Sequence, residues 1–252
     1  MTAPFSLLIT ARDEEELLPA ALASAADWAA ETVVVVDPAT VDSTREIAAA
    51  AGARVLEHHY VSSGTQCNWG IAQCDHDLVF VLDADERLTP RLRASVAAAV
   101  AAPDVAAWAV DRLNLAFSRP LRHGDWGHDR IIRLLDRRHA RYDEAAVHAS
   151  VRASSIGHLS GRLEHLTLRS FDQYVPKMHD YARRGALDLL AGGRRPRIIL
   201  AIAHAEWKFA RSFLLRGGFL DGVPGLVVSL LLAYGTFLKW AWAWDLARSR
   251  QA

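Results

Sequence analysis

Hydrophobic positions in the N-terminal third of the chain come in short unbroken runs rather than in alternation. The clearest is V-F-V-L at Val79–Leu82, which leads directly into D-A-D-E at Asp83–Glu86. A run of this length, rich in β-branched and aromatic residues, predicts a strand buried on both faces. Leu78–Leu82 is the fourth such strand, after Phe5–Thr10, Thr32–Val36 and Ala53–Leu56. Helical signals lie between them. Glu14-Glu15-Glu16 places acids where a helix N-terminus favours them, and that helix is expected to run towards Trp28. Ser43-Thr44-Arg45-Glu46 fits a capping box, and the helix it opens should stop at Gly52. Strands alternating with helices predict βαβ units and a largely parallel sheet.

Three of these strands end in acids: Asp13/Glu14, Asp37 and Asp83/Asp85. Open α/β sheets bind ligands outside the carboxyl ends of their strands. On an extended backbone Asp83 and Asp85 share a face while Glu86 points elsewhere. Two carboxylates so close repel each other unless a cation intervenes, and the arrangement suits a hard divalent ion carrying a phosphorylated ligand. The plainer alternative is a set of acids decorating the helix that opens at Thr89-Pro90.

The pattern changes near Ser170. Phe171–Leu190 predicts a helix broken at Gly192-Gly193, and Arg194-Arg195-Pro196 opens another. On a helical wheel Arg197, His204, Lys208 and Arg211 share one stripe, away from Ile198, Ile202, Phe209 and Phe213. Glu206 falls in the apolar arc without an evident partner. A basic amphipathic helix suits an anionic membrane surface, whereas an ordinary packed helix would turn the same stripe to solvent. Gly222–Leu238 carries no charge. As a helix it spans roughly 25 Å, short of the ~30 Å hydrocarbon core. Pro224, Gly225 and Gly235 interrupt it, basic residues flank both sides, and Trp240, Trp242 and Trp244 match side chains that prefer the headgroup zone. A monotopic segment dipping into the inner leaflet is expected ahead of a true span; a soluble buried helix pair is the remaining option.

Composition narrows the rest. A chain of 252 residues accommodates one ordinary domain with an appendage, and lysine plus arginine equals aspartate plus glutamate at 29 each, so nothing calls for nucleic acid. Cys67 and Cys74 make no metal-ligand pair, and a reducing compartment is the simplest reading. The Phe5–Ile9 run is too short, and meets acids too soon, for a signal peptide. No G-x-G-x-x-G follows the first strand, which argues against a dinucleotide-dependent oxidoreductase.

The spacing of four pieces resembles the nucleotide-sugar-binding half of family-2 inverting glycosyltransferases of GT-A fold. They are I-T-A-R-D-E-E at Ile9–Glu15, V-V-D-P-A-T-V-D-S-T at Val35–Thr44, G-T-Q-C-N at Gly64–Asn68 and L-D-A-D-E at Leu82–Glu86. Further pieces are similar to the lipopolysaccharide-core β-glucosyltransferase branch: H-G-D-W-G-H-D-R-I-I-R-L at His123–Leu134, A-V-H at Ala146–His148, L-E-H-L-T at Leu163–Thr167, Y-A at Tyr181–Ala182 and L-R-G-G-F-L-D-G at Leu215–Gly222. The resemblance implies a GT-A type sheet, mostly parallel and flanked by helices, over residues 1–168, and a helical membrane-associating extension over 169–252. By it, Thr10, Arg12, Glu14 and Asp37 would read the base, expected to be uracil, and its ribose. Gln66, Asn68 and Arg130 would complete the donor pocket. Asp85, with Asp83 and His165, would hold Mg²⁺ or Mn²⁺ on the donor's diphosphate, Asp83 also meeting the ribose or a metal-bound water.

Two departures stand out. The usual glycine-serine turn after Asp37 is Pro38-Ala39, and the family's V-H-E is Val147-His148-Ala149. An inverting transfer needs a base opposite the leaving group. With Ala149 unable to serve, Glu144 stands first as candidate, then Asp143 and His148.

The expected activity is inverting transfer of a sugar from a nucleotide diphosphate to a lipid-linked or lipopolysaccharide-type acceptor at the cytoplasmic face of the membrane. Two alternatives remain open. A polyprenyl-phosphate glycosyl donor synthase would need no strong base, and a catalytically silent nucleotide-sugar binder would need none at all.

Overall fold

The computed structural model describes residues 4–143 and 149–249. The chain forms two compact units, Met1–Arg112 with Arg130–His165, and Leu113–Asp129 with Leu166–Ala252. The elements in order begin with β1 (Ser6–Ala11), α1 (Leu18–Ser24), β2 (Glu31–Val36), α2 (Thr44–Ala50), β3 (Arg54–Glu57), α3 (Ser63–Gln73) and β4 (Leu78–Asp83). They continue with β5 (Glu86–Leu88), α4 (Pro90–Ala101), β6 (Ala107–Ala116), β7 (Arg119–Pro120), β8 (Asp129–Asp136), β9 (Ala140–Tyr142), β10 (Val151–Ala153) and β11 (Ile156–Leu168). Three longer helices close the chain: α5 (Phe171–Ala191), α6 (Ile198–Phe209) and α7 (Gly222–Ser249).

The main sheet runs β3-β2-β1-β4-β8-β6-β11-β5, with β7 on β6, and a hairpin of β9 and β10 stands apart. The protein is α/β. β1 is parallel to both β2 and β4, and β2 to β3, as the βαβ alternation requires. Beyond β4 the expectation of a largely parallel sheet needs correction. β8 is antiparallel to β4, and β5 to β11. Among the described residues from β6 to β11 no helix intervenes between strands, and only crossover connections can return a strand in parallel.

Burial on both faces explains the unbroken runs. Leu7, Ile9, Val34, Val36, Phe80 and Leu82 pack with α1 and α4 through Leu18, Leu92 and Val96. Leu8, Val33, Val35, Val79 and Val81 pack on the other face with Cys67 and Ile71 of α3. Burial pushes both free thiols, Cys67 and Cys74, up to about 12, so they stay protonated. Local signals hold less well. The Ser43 side chain makes no cap; Asp42 takes its place, one oxygen accepting from the Thr44 N–H at 3.0 Å and the other from the Glu15 N–H at 2.9 Å. A carboxylate one position earlier is the stronger acceptor, and the capping box gives way to it.

In the second unit α5 and α6 pack along α7. Gly217, at φ +71°, and Gly225, where a β-carbon would overlap the Gly218 carbonyl, let a turn over Gly218–Asp221 lie flush against the start of α7. The wheel reading of α6 holds in part: Arg197 and His204 are exposed, and Phe209 and Phe213 are partly buried. Lys208 and Arg211 face the buried carboxylate of Asp125, at 2.5 and 3.6 Å, and His204 stacks on Trp240. Ile198, Ile199, Ile202 and Trp207 are exposed, as are His204 and Glu206. The three tryptophans are half-buried rather than free for a headgroup zone, Trp242 near Arg183 and Trp244 beneath Arg248. α7 also runs on past Leu238 to Ser249, taking in Lys239, Asp245 and Arg248.

Asp125 is the hub of this unit. Burial alone would raise its carboxyl, but the hydrogen bond and charge of Lys208, with Arg216 and Arg211, hold it below the ordinary range. A depressed acid stabilises the fold above its unfolded value, near ~3.9, and that contribution is lost as pH falls through the folded value. Thermal melts of the wild type should therefore lose stability below about pH 4, and Asp125→Asn should be less stable throughout and show a shallower acid limb. An unchanged acid limb in Asp125→Asn would count against this account.

Candidate active site

The parallel register places the ends of three strands side by side: Thr10 lies opposite Val35 and Asp83, and Ala11 opposite Val36. The segments that follow therefore meet at one edge of the sheet. Asp37, 5% exposed, holds its own turn by accepting from the Ala39 N–H at 2.9 Å, and its other oxygen lies 3.5 Å from Arg12. The Pro38-Ala39 turn thus still closes on Asp37. Glu14 stands on the same edge, its N–H donating to the Thr44 hydroxyl at 2.8 Å. Thr10, Arg12, Glu14 and Asp37 thus gather at this edge.

β4 ends at Asp83, and Ala84-Asp85 form a turn before β5. Strand alternation therefore does not reach Asp85, and the two aspartates part. Asp83 pairs with Arg133 of β8, while Asp85 lies 3.3 Å from His165 Nε2. Sheet register accounts for both partners. Phe80 lies opposite Leu134, so β8 carries Arg133 towards the end of β4, and β11 sets His165 opposite Glu86. Among the described residues no three His, Cys, Asp or Glu side chains gather as a metal-ligand set. Of the expected trio of Asp83, Asp85 and His165, Asp83 lies against Arg133 and Asp85 stands with His165. Asp85 and His165, both partly exposed, can present an oxygen and a nitrogen to a cation, the rest of its shell being phosphate oxygens and water, as Mg²⁺ at nucleotide sites ordinarily has it. That donor set fits a divalent ion.

Beneath them lies a buried ion network that the motif reading did not anticipate. Glu86, fully buried, accepts from Arg133 at 2.6 Å, lies 3.4 Å from Arg112 and takes the Asp83 N–H at 3.1 Å. Burial pushes the Glu86 carboxyl up, with Arg133 pulling the other way. Burial would lower Arg133, but the charges of Asp83 and Glu86 outweigh it and hold the guanidinium well above its usual value. The sequence signal was the fifth letter of D-R-I-I-R-L, the residue before the leucine that pairs with β4.

Several other expected contacts fall elsewhere. Arg130 is exposed and pairs with Asp111 at 2.8 Å, not with the aspartates of β4. The G-T-Q-C-N piece serves the chain itself. Gln66 bonds both the ring and carbonyl of His58, and Asn68 exchanges two hydrogen bonds with the Tyr142 backbone. A β-carbon at Gly64 would overlap the Asp143 carbonyl. Their amides, expected on the donor, instead anchor the strand that leads into the candidate-base segment. The Asp143 carboxylate accepts the N–H and hydroxyl of Ser150 at 2.9 and 2.7 Å. Glu144 and His148 lie outside the described residues.

Comparison with known proteins now bears on this edge. The profile of "Glycosyl transferase family 2" matches residues 6–154, more than half of the chain and all of the strands just described up to β10. The chain belongs to glycosyl transferase family 2. This glycosyltransferase is 26% identical to an uncharacterized glycosyltransferase of Rickettsia bellii over 96% of its length and 86% of that protein's. It is 27% identical to the lipopolysaccharide core biosynthesis glycosyltransferase LpsC of Rhizobium meliloti, covering 91% of this chain and 90% of that one. Among solved structures it is similar to glucosyl-3-phosphoglycerate synthase from Mycobacterium tuberculosis, solved with Mn²⁺, UDP and glucosyl-3-phosphoglycerate, at 18% identity and a TM-score of 0.38 over 45% of this chain and 44% of that one. S. aureus TarS with UDP matches at 20% identity and a TM-score of 0.40, over 44% and 36% of the two chains.

The buried network is testable without substrate. Removing Arg133 leaves Glu86 a buried acid with its nearest guanidinium gone and Arg112 at 3.4 Å, and breaking such a pair costs about 3–5 kcal/mol. Urea unfolding of Arg133→Met should show a loss of that size, whereas Arg130→Met, on an exposed pair, should lose under about 1 kcal/mol.

Proposed function

We propose that this family-2 enzyme transfers a sugar, with inversion, from a nucleotide diphosphate donor, a UDP-sugar, to a lipid-linked or lipopolysaccharide-type acceptor at the inner face of the membrane. The observation that carries the reading is the Asp85–His165 pair at the carboxyl end of β4, set beside Asp37 and Arg12 at the end of β2 and β1. LpsC, matched along nearly its whole length, is named for lipopolysaccharide core biosynthesis, which supports the acceptor class. The exposed apolar side chains of the helical unit support the location.

Each group then has a task. Asp37 and Glu14 accept hydrogen bonds from the base and the ribose, with Thr10 and Arg12 on the same edge. Asp85 and His165 would hold Mg²⁺ or Mn²⁺, which when bound neutralises charge growing on the departing diphosphate. Arg133 pairs with Asp83 and would hold it towards the ribose side. The acceptor hydroxyl must lose its proton as its oxygen attacks the anomeric carbon opposite the diphosphate. With Asp143 committed to Ser150, Glu144 is the proposed base and His148 its alternative. A polyprenyl-phosphate acceptor is the second reading, favoured by Ala149 where the family has glutamate, since an ionised phosphate needs no base.

Thermal shift tests the donor site. UDP-sugar should stabilise the protein, by about 2.7 kcal/mol at a hundredfold excess over Kd, and Mn²⁺ should add to the effect. Asp85→Ala and His165→Ala should lose the Mn²⁺ increment while keeping a residual response to UDP; a full Mn²⁺ response in Asp85→Ala removes the basis of the proposal. For the base, Glu144→Gln should lower kcat by about 10²–10⁴ with donor binding intact. Full turnover in Glu144→Gln, with loss in Asp143→Asn, would reverse that assignment.

A further inference from the structure

Asp125, within the helical unit, is one buried carboxylate facing three cations. Lys208 lies at 2.5 Å, Arg216 at 2.8 Å and Arg211 at 3.6 Å. Three positive charges thus share one carboxylate, which leaves the cluster with a surplus of positive charge among the described residues. Asp221, the acid of the neighbouring turn, is engaged with His123, accepting from its backbone N–H, from its ring at 2.8 Å and from the Arg122 N–H. The three cationic side chains keep 28–38% of their surface exposed, so the surplus charge reaches solvent.

The residues next to this cluster are apolar and uncovered. Leu214, Leu215, Phe219, Leu220 and Val223 are each more than half exposed, between 51% and 73%. The surface continues along α7 at helical spacing through Leu226, Leu230 and Tyr234, all exposed. A contiguous apolar patch of this kind marks an interaction site. Cations alone would draw any anion, and the apolar stripe alone would take any greasy partner. Together they match an amphiphile whose head is an anionic phosphate. Glu206, exposed on α6, sets a limit on depth and keeps this edge at the headgroup level.

We infer that Lys208, Arg211 and Arg216 bind the phosphate of an acidic membrane lipid whose chains lie against Leu214, Leu215, Phe219 and Leu220. The inference rests on the membrane-associated reading above and adds to it a lipid class and a site.

Flotation of the full chain with vesicles of phosphatidylcholine, alone or mixed with phosphatidylglycerol, tests both. Each cation near an acidic surface is worth about fivefold in binding. Wild type should prefer the mixed vesicles, and Lys208→Gln/Arg211→Gln should lose about twenty-five-fold of that preference while binding phosphatidylcholine as before. Arg211→Gln alone, which leaves Lys208 and Arg216 on Asp125, should lose about fivefold and serves if the double variant does not fold. Leu215→Ser/Phe219→Ser should weaken binding to both compositions alike. Wild type that floats with neither vesicle overturns the membrane reading and the site together. Wild type that floats with both equally, or an Arg211→Gln that keeps the full preference, overturns the site alone. So does free inorganic phosphate, at matched ionic strength and without vesicles, if it raises the melting temperature of wild type but not of Arg211→Gln while lipid preference is unaffected. A dimer that Leu215→Ser/Phe219→Ser converts to monomer with vesicle binding unchanged would give the apolar face to a second copy and overturn the proposal.

Discussion

A guanidinium buried between two carboxylates fixes the end of β4, and the candidate site depends on it. Arg133 cannot leave Glu86 without stranding a charge in an apolar interior, so Asp83 is held in turn. Ion pairs in the core contribute little net stability against apolar replacements, but breaking one is expensive. Such a network is therefore a device for position more than for strength. It sets one aspartate against a fixed positive charge and leaves its neighbour to the mostly buried histidine of β11. Two acids two residues apart thereby acquire different chemical surroundings.

Much of the first unit could be read from the chain because burial on both faces leaves so plain a trace. The runs at Leu78–Leu82 and Thr32–Val36 had only one way to hide their side chains, and their acidic ends followed from the parallel register. The antiparallel half was illegible. β6, β8 and β11 mix arginine, aspartate and histidine into their strands, which blurs any period, and their pairing depends on partners far along the chain. The helix α3 was missed for a related reason, its two glycines and polar side chains concealing a face that packs against β1 and β2. The same concealment made Gln66 and Asn68 look like ligand contacts when they brace the backbone.

The helical unit shows why a wheel does not by itself say which side faces water. Lys208 and Arg211 looked like a solvated or membrane-facing stripe only because Asp125, more than eighty residues earlier in the chain, was invisible to a local window. Once that acid is in place Lys208 and Arg211 lean onto it while keeping part of their surface exposed, and the isoleucines of the same helix are exposed as well. Charge on a helix face reports polarity of surroundings, not exposure.

The clamps on Asp125 and Asp221 also bear on the order in which the protein forms. His123 meets Asp221 across 98 residues, and Asp125 meets Arg216 across 91. During synthesis the strands on either side of the 113–129 excursion are complete long before its partners leave the ribosome. That excursion must wait, unpaired, for the last quarter of the polypeptide, and such late non-local closure is slow. A polypeptide cut after the last strand would thus lack more than its tail: it would expose an internal segment whose partners never arrive.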